Sequence, residues 1–146
     1  MYRDEILKNR ETWIEGLLNP ESKGFTGWLE NLINSNERCC LGHGCHYLGL
    51  TRSISNSGRV LYEKRFSSVA PEKLVELVGL WNDIGATSDE ETSLRGYPSL
   101  ISLIAMNDQT TDTPQCIGKY LQSVIEGGPD TPFRPLTAYP EAPECS

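Results

Sequence analysis

The sequence predicts a mainly α fold with a small β component, and three observations carry that prediction. Apolar residues recur at helical spacing over several segments of the 146-residue chain. A cluster of turn residues separates two short runs of strand-forming side chains near the middle of the chain. Five of the nine prolines fall in residues 129–146, where they exclude helix and central strand. We expect a compact bundle of five or six short helices, one β-hairpin and an extended proline-rich C-terminal arm.

The N-terminal part of the chain is predicted to contain three helices. Residues 2–18 place apolar side chains on one face, and Pro20 stops the run. Residues 25–34 repeat the pattern and are predicted as a second helix, whose apolar residues are Phe25, Trp28, Leu29, Leu32 and Ile33. A capping break at residues 34–36 then begins a third helix, which ends near Gly49.

The hairpin and three further helices follow. Residues 52–65 flank an Asn-Ser-Gly turn and are predicted as the hairpin. Residues 71–80 form a helix with proline in its first turn, and another short helix begins at Pro98. A Thr-Pro pair at residues 113–114 begins the clearest helix, and two glycines at residues 127–128 end it.

The chain divides into one globular domain, residues 1–128, and a tail, residues 129–146. A hydrophobic content of 38% and a charged content of 23% are ordinary for a soluble globular protein. The tail is either loose or an arm docked on a surface, its own or a partner's. Phe133, Leu136 and Tyr139 would anchor a docked arm.

Composition excludes several classes of protein. No apolar run approaches the roughly 20 residues that span a bilayer, and the N-terminus lacks the apolar core of a signal peptide. We therefore expect a cytoplasmic protein without membrane contact. Five cysteines, an odd number, indicate thiols in a reducing compartment and not a disulfide framework. A net charge of −7 argues against general nucleic-acid binding.

The charge is unevenly distributed, because the hairpin is basic. Residues 50–66 carry four cations against Glu63, which gives +3 and leaves −10 for the remainder of the chain. The four cations are Arg52, Arg59, Lys64 and Arg65. They indicate either a solvated hairpin or a patch that contacts an anion, and Arg95 would assist that patch.

Residues 38–49 concentrate the reactive side chains, with three of the five cysteines and both histidines. On a helix, Cys39, His43 and His46 fall within about 60° of one another. They could bind zinc with a fourth ligand from Cys116, Cys145, an acid or water, although the spacing matches no standard zinc signature. A separate, wider face is formed by Cys40, Leu41, Gly44, Cys45 and Leu48.

Two other interpretations of this stretch stay open. A thiol at a helix N-terminus, Cys39 or Cys40, has a lowered pKa and can act as a nucleophile. Such an enzyme needs a base brought to the thiol and oriented by a third group, and no orienting acid is evident. The favoured interpretation is packing, because cysteine and glycine are often buried and a small-residue face permits close approach of another backbone.

The segment Arg38-Cys39-Cys40-Leu41-Gly42, followed by Cys45, resembles the R-C-C-L-G-x-x-C helix of a family of small uncharacterised proteins of phages and bacteria. Residues 71–80 resemble the next element of that family. Residues 103–108 match its downstream L-N-D element, which precedes a terminal helix at residues 117–125. The resemblance implies no enzymatic activity, and the two histidines lie outside the shared pattern.

The sequence and the resemblance together favour a non-catalytic binding protein, a phage-type accessory or counter-defence factor. It would sequester a small anionic ligand, such as a nucleotide signal, or occupy a host protein in the host cytoplasm. The predicted ligand-binding residues are Arg52, Arg59, Lys64, Arg65 and Arg95. No cofactor is expected, and the arm could build a homo-oligomer. The alternatives are a structural phage component and a metal- or thiol-dependent enzyme, with zinc as cofactor, centred on Cys39, Cys40, His43 and His46.

Overall fold

The computed structural model describes residues 1–87, 102–108 and 113–143. Within these ranges the helices are α1 (Arg3–Leu18), α2 (Cys40–Tyr47), α3 (Glu72–Val78), α4 (Leu103–Asp108) and α5 (Pro114–Ser123), with a 3-10 helix at Leu136–Ala138. Strands β1 (Arg52–Ile54) and β2 (Val60–Tyr62) pair as an antiparallel hairpin. The predicted mainly α fold with one small hairpin is confirmed. None of the described helices has the length and apolar character needed to cross a bilayer.

The core is built around Trp13 of α1, whose side chain is fully buried. Its indole N–H donates to the carbonyl of Cys40 at 2.9 Å, which ties α1 to the start of α2. The ring of Phe133 packs edge-on against the indole, with 6.0 Å between ring centroids. Trp13 therefore joins α1, α2 and the C-terminal arm.

Local signals set the boundaries of the later helices. The Thr113 hydroxyl accepts a hydrogen bond from the Cys116 N–H at 3.2 Å, and Pro114 occupies the first helical position, as the sequence predicts. Helix α3 ends at Gly79, which has a left-handed backbone with φ +69°. The predicted helix start at Pro98 lies outside the described residues, and α4 is described from Leu103.

The predicted helix over residues 25–34 is wrong. The segment consists of bends and isolated bridges, and Gly27 has φ +85°. The N–H of Leu29 donates to the carbonyl of Ser67 at 2.6 Å, and the Leu29 carbonyl accepts from the N–H of Cys39 at 3.1 Å. Because these groups pair with remote segments, they are not available for helical hydrogen bonds.

Close contact between this segment and α2 explains why residue 42 is a glycine. A Cβ on Gly42 would collide with the carbonyl group of Leu29. We expect Gly42→Ala to lower the free energy of unfolding by about 2 kcal/mol, because the backbones must separate. Urea denaturation measures the change, and Gly24→Ala is the control, since its Cβ would meet only Pro114 at 3.7 Å. Equal midpoints for the two variants would contradict this packing.

The described part of the C-terminal arm is docked on the chain's own surface. The Arg3 N–H donates to the Pro140 carbonyl at 2.9 Å. The Arg3 guanidinium donates to the carbonyls of Leu136 and Tyr139 at 3.1 Å each. Of the three predicted anchors, Phe133 is fully buried, whereas Leu136 and Tyr139 are half-buried. The arm thus uses its anchors within one chain.

Candidate functional site

The predicted cationic residues of the hairpin have different surroundings. Arg52 is held by an acid, because its Nε donates to Glu30 Oε2 at 2.6 Å. Arg59 is exposed, and its guanidinium lies over the ring of Trp28, 4.0 Å from the ring centroid. Arg52 is therefore ion-paired within the chain, while Arg59 keeps donors that an external anion can reach.

The other predicted residues lie further along the hairpin. Arg65 is exposed, with its guanidinium 5.6 Å from the ring centroid of Phe66. Lys64 is exposed and has φ +67°, a left-handed conformation in the tight turn after β2. Arg95 lies outside the described residues. Arg59, Lys64 and Arg65 are thus exposed, and the ion pair with Glu30 distinguishes Arg52 from them.

Glu30 is the acid that pairs with Arg52, and its side chain is buried. Its carboxylate accepts from Arg38 Nε at 2.8 Å and from the Tyr62 hydroxyl at 2.5 Å, in addition to Arg52. Burial raises the pKa of Glu30, but these three hydrogen bonds outweigh it and hold the pKa below the ordinary value. No sequence signal identified this residue, because its partners come from segments 8, 22 and 32 residues away.

The three predicted zinc ligands have different environments. His43 is fully buried, and its Nε2–H donates to the carbonyl of Lys23 at 2.8 Å. His46 is exposed. Cys39 caps α2, because its sulfur accepts the N–H of Gly42 at 3.3 Å. In the described ranges, no three His, Cys, Asp or Glu side chains are grouped to hold a metal ion.

The three cysteines of residues 38–49 are buried, which bears on the nucleophile interpretation. Burial raises the pKa of Cys39 to about 11, and it also raises the pKa values of Cys40 and Cys45. The thiolate is the nucleophilic form of cysteine, so burial here outweighs the expected effect of the helix N-terminus. Of the predicted packing face, Cys40, Leu41, Gly44 and Cys45 are buried and Leu48 is half-buried.

The burial of His43 makes the free energy of unfolding depend on pH. Burial lowers its pKa from 6.5 to about 4, so the folded chain holds a neutral imidazole where the unfolded chain takes up a proton. Stability is therefore lost as the pH falls below 6.5. We expect His43→Gln to remove about 2 kcal/mol of the stability difference between pH 7 and pH 5. Urea titrations at both pH values measure it, and the comparison is His46→Gln, which should remove a smaller part of the difference because burial also lowers the pKa of that imidazole. An unchanged difference in His43→Gln would contradict the assignment.

Three pockets open along one short segment. Phe66 lines a pocket of about 300 Å³, Ser67 one of about 180 Å³ and Ser68 one of about 230 Å³. Trp28 lines the two smaller pockets. Because consecutive residues line them, the pockets lie close together around this segment.

The surface beside the two smaller pockets presents an exposed apolar group that we call the Ile33 knob, formed by Trp28, Leu32 and Ile33. Their exposed fractions are 39%, 43% and 94%. The loop that carries them is tied down, since the Asn31 side-chain oxygen accepts the Ile33 N–H at 3.1 Å and its amide donates to Glu37 at 2.7 Å. Sequence reasoning missed the knob, because a helix over these residues would have turned them toward the core.

Comparison of the chain with protein-family models, with curated proteins and with solved structures found no match. The resemblance to small phage and bacterial proteins therefore stays a prediction.

Proposed function

We propose that this chain is a non-catalytic binding protein that occupies another protein through the Ile33 knob and Arg59. The observation that carries the proposal is Ile33, an apolar side chain that is 94% exposed on a loop tied by side-chain hydrogen bonds. Exposed apolar groups beside tryptophan and arginine have the composition of binding hot spots. A loop that is already ordered also loses less conformational entropy on binding.

The proposed partner is acidic at the point of contact. Within the described ranges, the guanidinium of Arg59 has an aromatic neighbour and no ion-pair partner. The segment 50–66 carries +3, whereas the rest of the chain carries −10. Long-range attraction would therefore orient this face, and not the acidic remainder, toward a negatively charged protein.

Pocket size favours a protein partner over a small anionic ligand. The pockets lined by Trp28 measure about 180 and 230 Å³. Small-molecule sites usually measure about 300–1,000 Å³, which these pockets do not reach. A nucleotide would leave most of its surface in water, whereas a protein segment can cover the pockets and the Ile33 knob together.

The biological setting that we propose follows from the sequence resemblance. An accessory factor of phage type that occupies a host protein would act in the host cytoplasm. Counter-defence is the corresponding proposed role. A cytoplasmic site agrees with thiols that are kept reduced, as the odd cysteine count predicts.

A randomised peptide display library tests the proposal without a known partner. We expect selection on the full chain to enrich peptides that combine Asp or Glu with aromatic or aliphatic residues. A synthetic peptide of the enriched sequence should bind about tenfold more weakly to Ile33→Ser and to Arg59→Ala. The matched control is Arg134→Ala, because Arg134 also lies over an indole, 5.0 Å from the ring centroid of Trp81, but outside this surface.

Two outcomes would overturn the proposal. The first is a failure of the peptide test: the enriched peptides lack acidic residues, or Arg59→Ala and Arg134→Ala bind the enriched peptide equally well. The other is retention of a nucleotide by the wild-type chain in a panel analysed by mass spectrometry, with loss of that nucleotide in Arg59→Ala. The second result would restore the small anionic ligand as the function of the surface.

A further inference from the structure

The largest of the three pockets has the chemistry opposite to that of the knob. We call it the acidic groove. Its floor is apolar and consists of Phe66, Ala70 and Val75, and its rim carries Glu72, Glu76 and Asp83. Glu72 and Glu76 lie one helical turn apart on α3, so their carboxylates share one side of the helix.

The floor and the rim are held together by the backbone. The Ala70 N–H donates to the carbonyl of Asp83 at 2.9 Å, which fixes the turn after α3 against the start of that helix. The three rim carboxylates are exposed and form no ion pair with any described residue. An apolar groove with unpaired acids on its rim is complementary to an apolar knob with an unpaired arginine.

The two surfaces lie side by side on one chain. Ser67 lines the pocket that contains Arg59 and Trp28, and the adjacent Phe66 lines the acidic groove. A two-fold axis beside these adjacent surfaces would place the basic apolar surface of each copy opposite the acidic apolar surface of the other. Such a contact closes as a dimer and does not propagate as a filament.

We infer that two copies of this chain form a dimer in which the Ile33 knob of each copy occupies the acidic groove of the other. The inference rests on the proposed function, because it names a partner for the same knob. Arg59 of each copy would then face the carboxylates of Glu72, Glu76 and Asp83 across the interface. This pairing differs from an oligomer built by the C-terminal arm, which is docked on its own chain.

Sedimentation equilibrium of the full chain over a concentration series tests the dimer. We expect wild type to approach twice the 16.3 kDa monomer mass. The variants Arg59→Glu and Glu76→Arg should each dimerise at least about tenfold more weakly, because like charges then face each other twice. The matched control Glu11→Arg changes an exposed glutamate on α1 and should dimerise like wild type.

Mixing the two charge variants makes the test specific. In the mixed dimer, the altered knob meets the altered groove and the native knob meets the native groove, so the attraction returns at both contacts. We expect the equimolar mixture and the Arg59→Glu/Glu76→Arg double variant to regain dimerisation. Circular dichroism and urea midpoints confirm that each variant is folded before it is compared.

The outcomes separate this inference from the proposed function. A wild-type chain that stays monomeric at all concentrations, or a mixture that fails to regain dimerisation, would overturn the dimer. Binding of the display-selected peptide by Glu76→Arg would then still support the knob as a partner-binding surface. Loss of that peptide in Glu76→Arg, with the fold intact, would instead show that the peptide uses the groove and would contradict the proposed knob site.

Discussion

Replacement of Arg10 by methionine should lower the free energy of unfolding by about 3–5 kcal/mol. Arg10 lies on α1 and is fully buried. Its guanidinium donates to the carbonyls of Val78 at 2.6 Å, Ile125 at 2.7 Å and Arg134 at 2.8 Å. It also lies over the ring of Phe133, 4.3 Å from the centroid. Methionine has a similar length but leaves three carbonyls without this donor.

Arg10 places a positive charge inside the core. Burial lowers the pKa of Arg10 to about 10, so the guanidinium is still protonated at neutral pH. Among the described residues no carboxylate pairs with it, and carbonyl dipoles at the ends of α3 and α5 and in the arm balance the charge instead. Arg10 therefore holds together three parts of the chain that are distant in sequence.

Urea denaturation of Arg10→Met and of two further variants measures this contribution. Arg10→Lys keeps a charge but lacks the planar fork, so it should remain strongly destabilised. Arg59→Met is the matched control, because it removes an exposed arginine that also lies over an aromatic ring and should change stability by less than about 0.5 kcal/mol. Equal stabilities of Arg10→Met and Arg59→Met would contradict the role of Arg10.

The sequence predicted elements whose signals are local. Helix α5 has its capping threonine, its first-turn proline and its apolar period within one continuous segment. The hairpin has turn residues between two strand-forming runs. The segment 25–34 has an equally regular apolar period, yet Leu29 pairs with Ser67 and Cys39. The apolar period of a segment contains no information about hydrogen-bond partners that lie so far away along the chain.

The same limit applied to the candidate site. The basic hairpin was visible from charge alone, and it contributes Arg59 to the proposed surface. The ion pair of Arg52 depends on buried Glu30, which is one of 20 acidic residues and has no distinguishing local pattern. The Ile33 knob depends on the failure of a predicted helix, so no local signal indicated it.

Replacement of Glu30 by glutamine should cost about 3–5 kcal/mol of stability, because it leaves a buried charge without its counter-ion. The exposed fraction of Arg38 is 7%, and its Nε donates to the Glu30 carboxylate at 2.8 Å. In the variant this guanidinium faces a neutral amide in a site that water does not reach. Tyr62→Phe is the control, since it removes one hydrogen bond of the same carboxylate but no charge, and should cost only about 1 kcal/mol.

Acid titration provides a second, independent measure of the Glu30 site. The folded-state pKa of Glu30 lies below its ordinary value of 4.5, so its contribution to stability is complete at neutral pH and is lost as the pH falls below 4.5 through the folded value. We expect wild type to lose stability more steeply than Glu30→Gln in that range, because the variant has no proton to take up there. Between pH 7 and pH 5 the loss comes from His43 and His46, and it should be somewhat steeper in Glu30→Gln, because the Glu30 charge raises the pKa of both imidazoles. Parallel curves below pH 4.5 would contradict a buried, ionised Glu30.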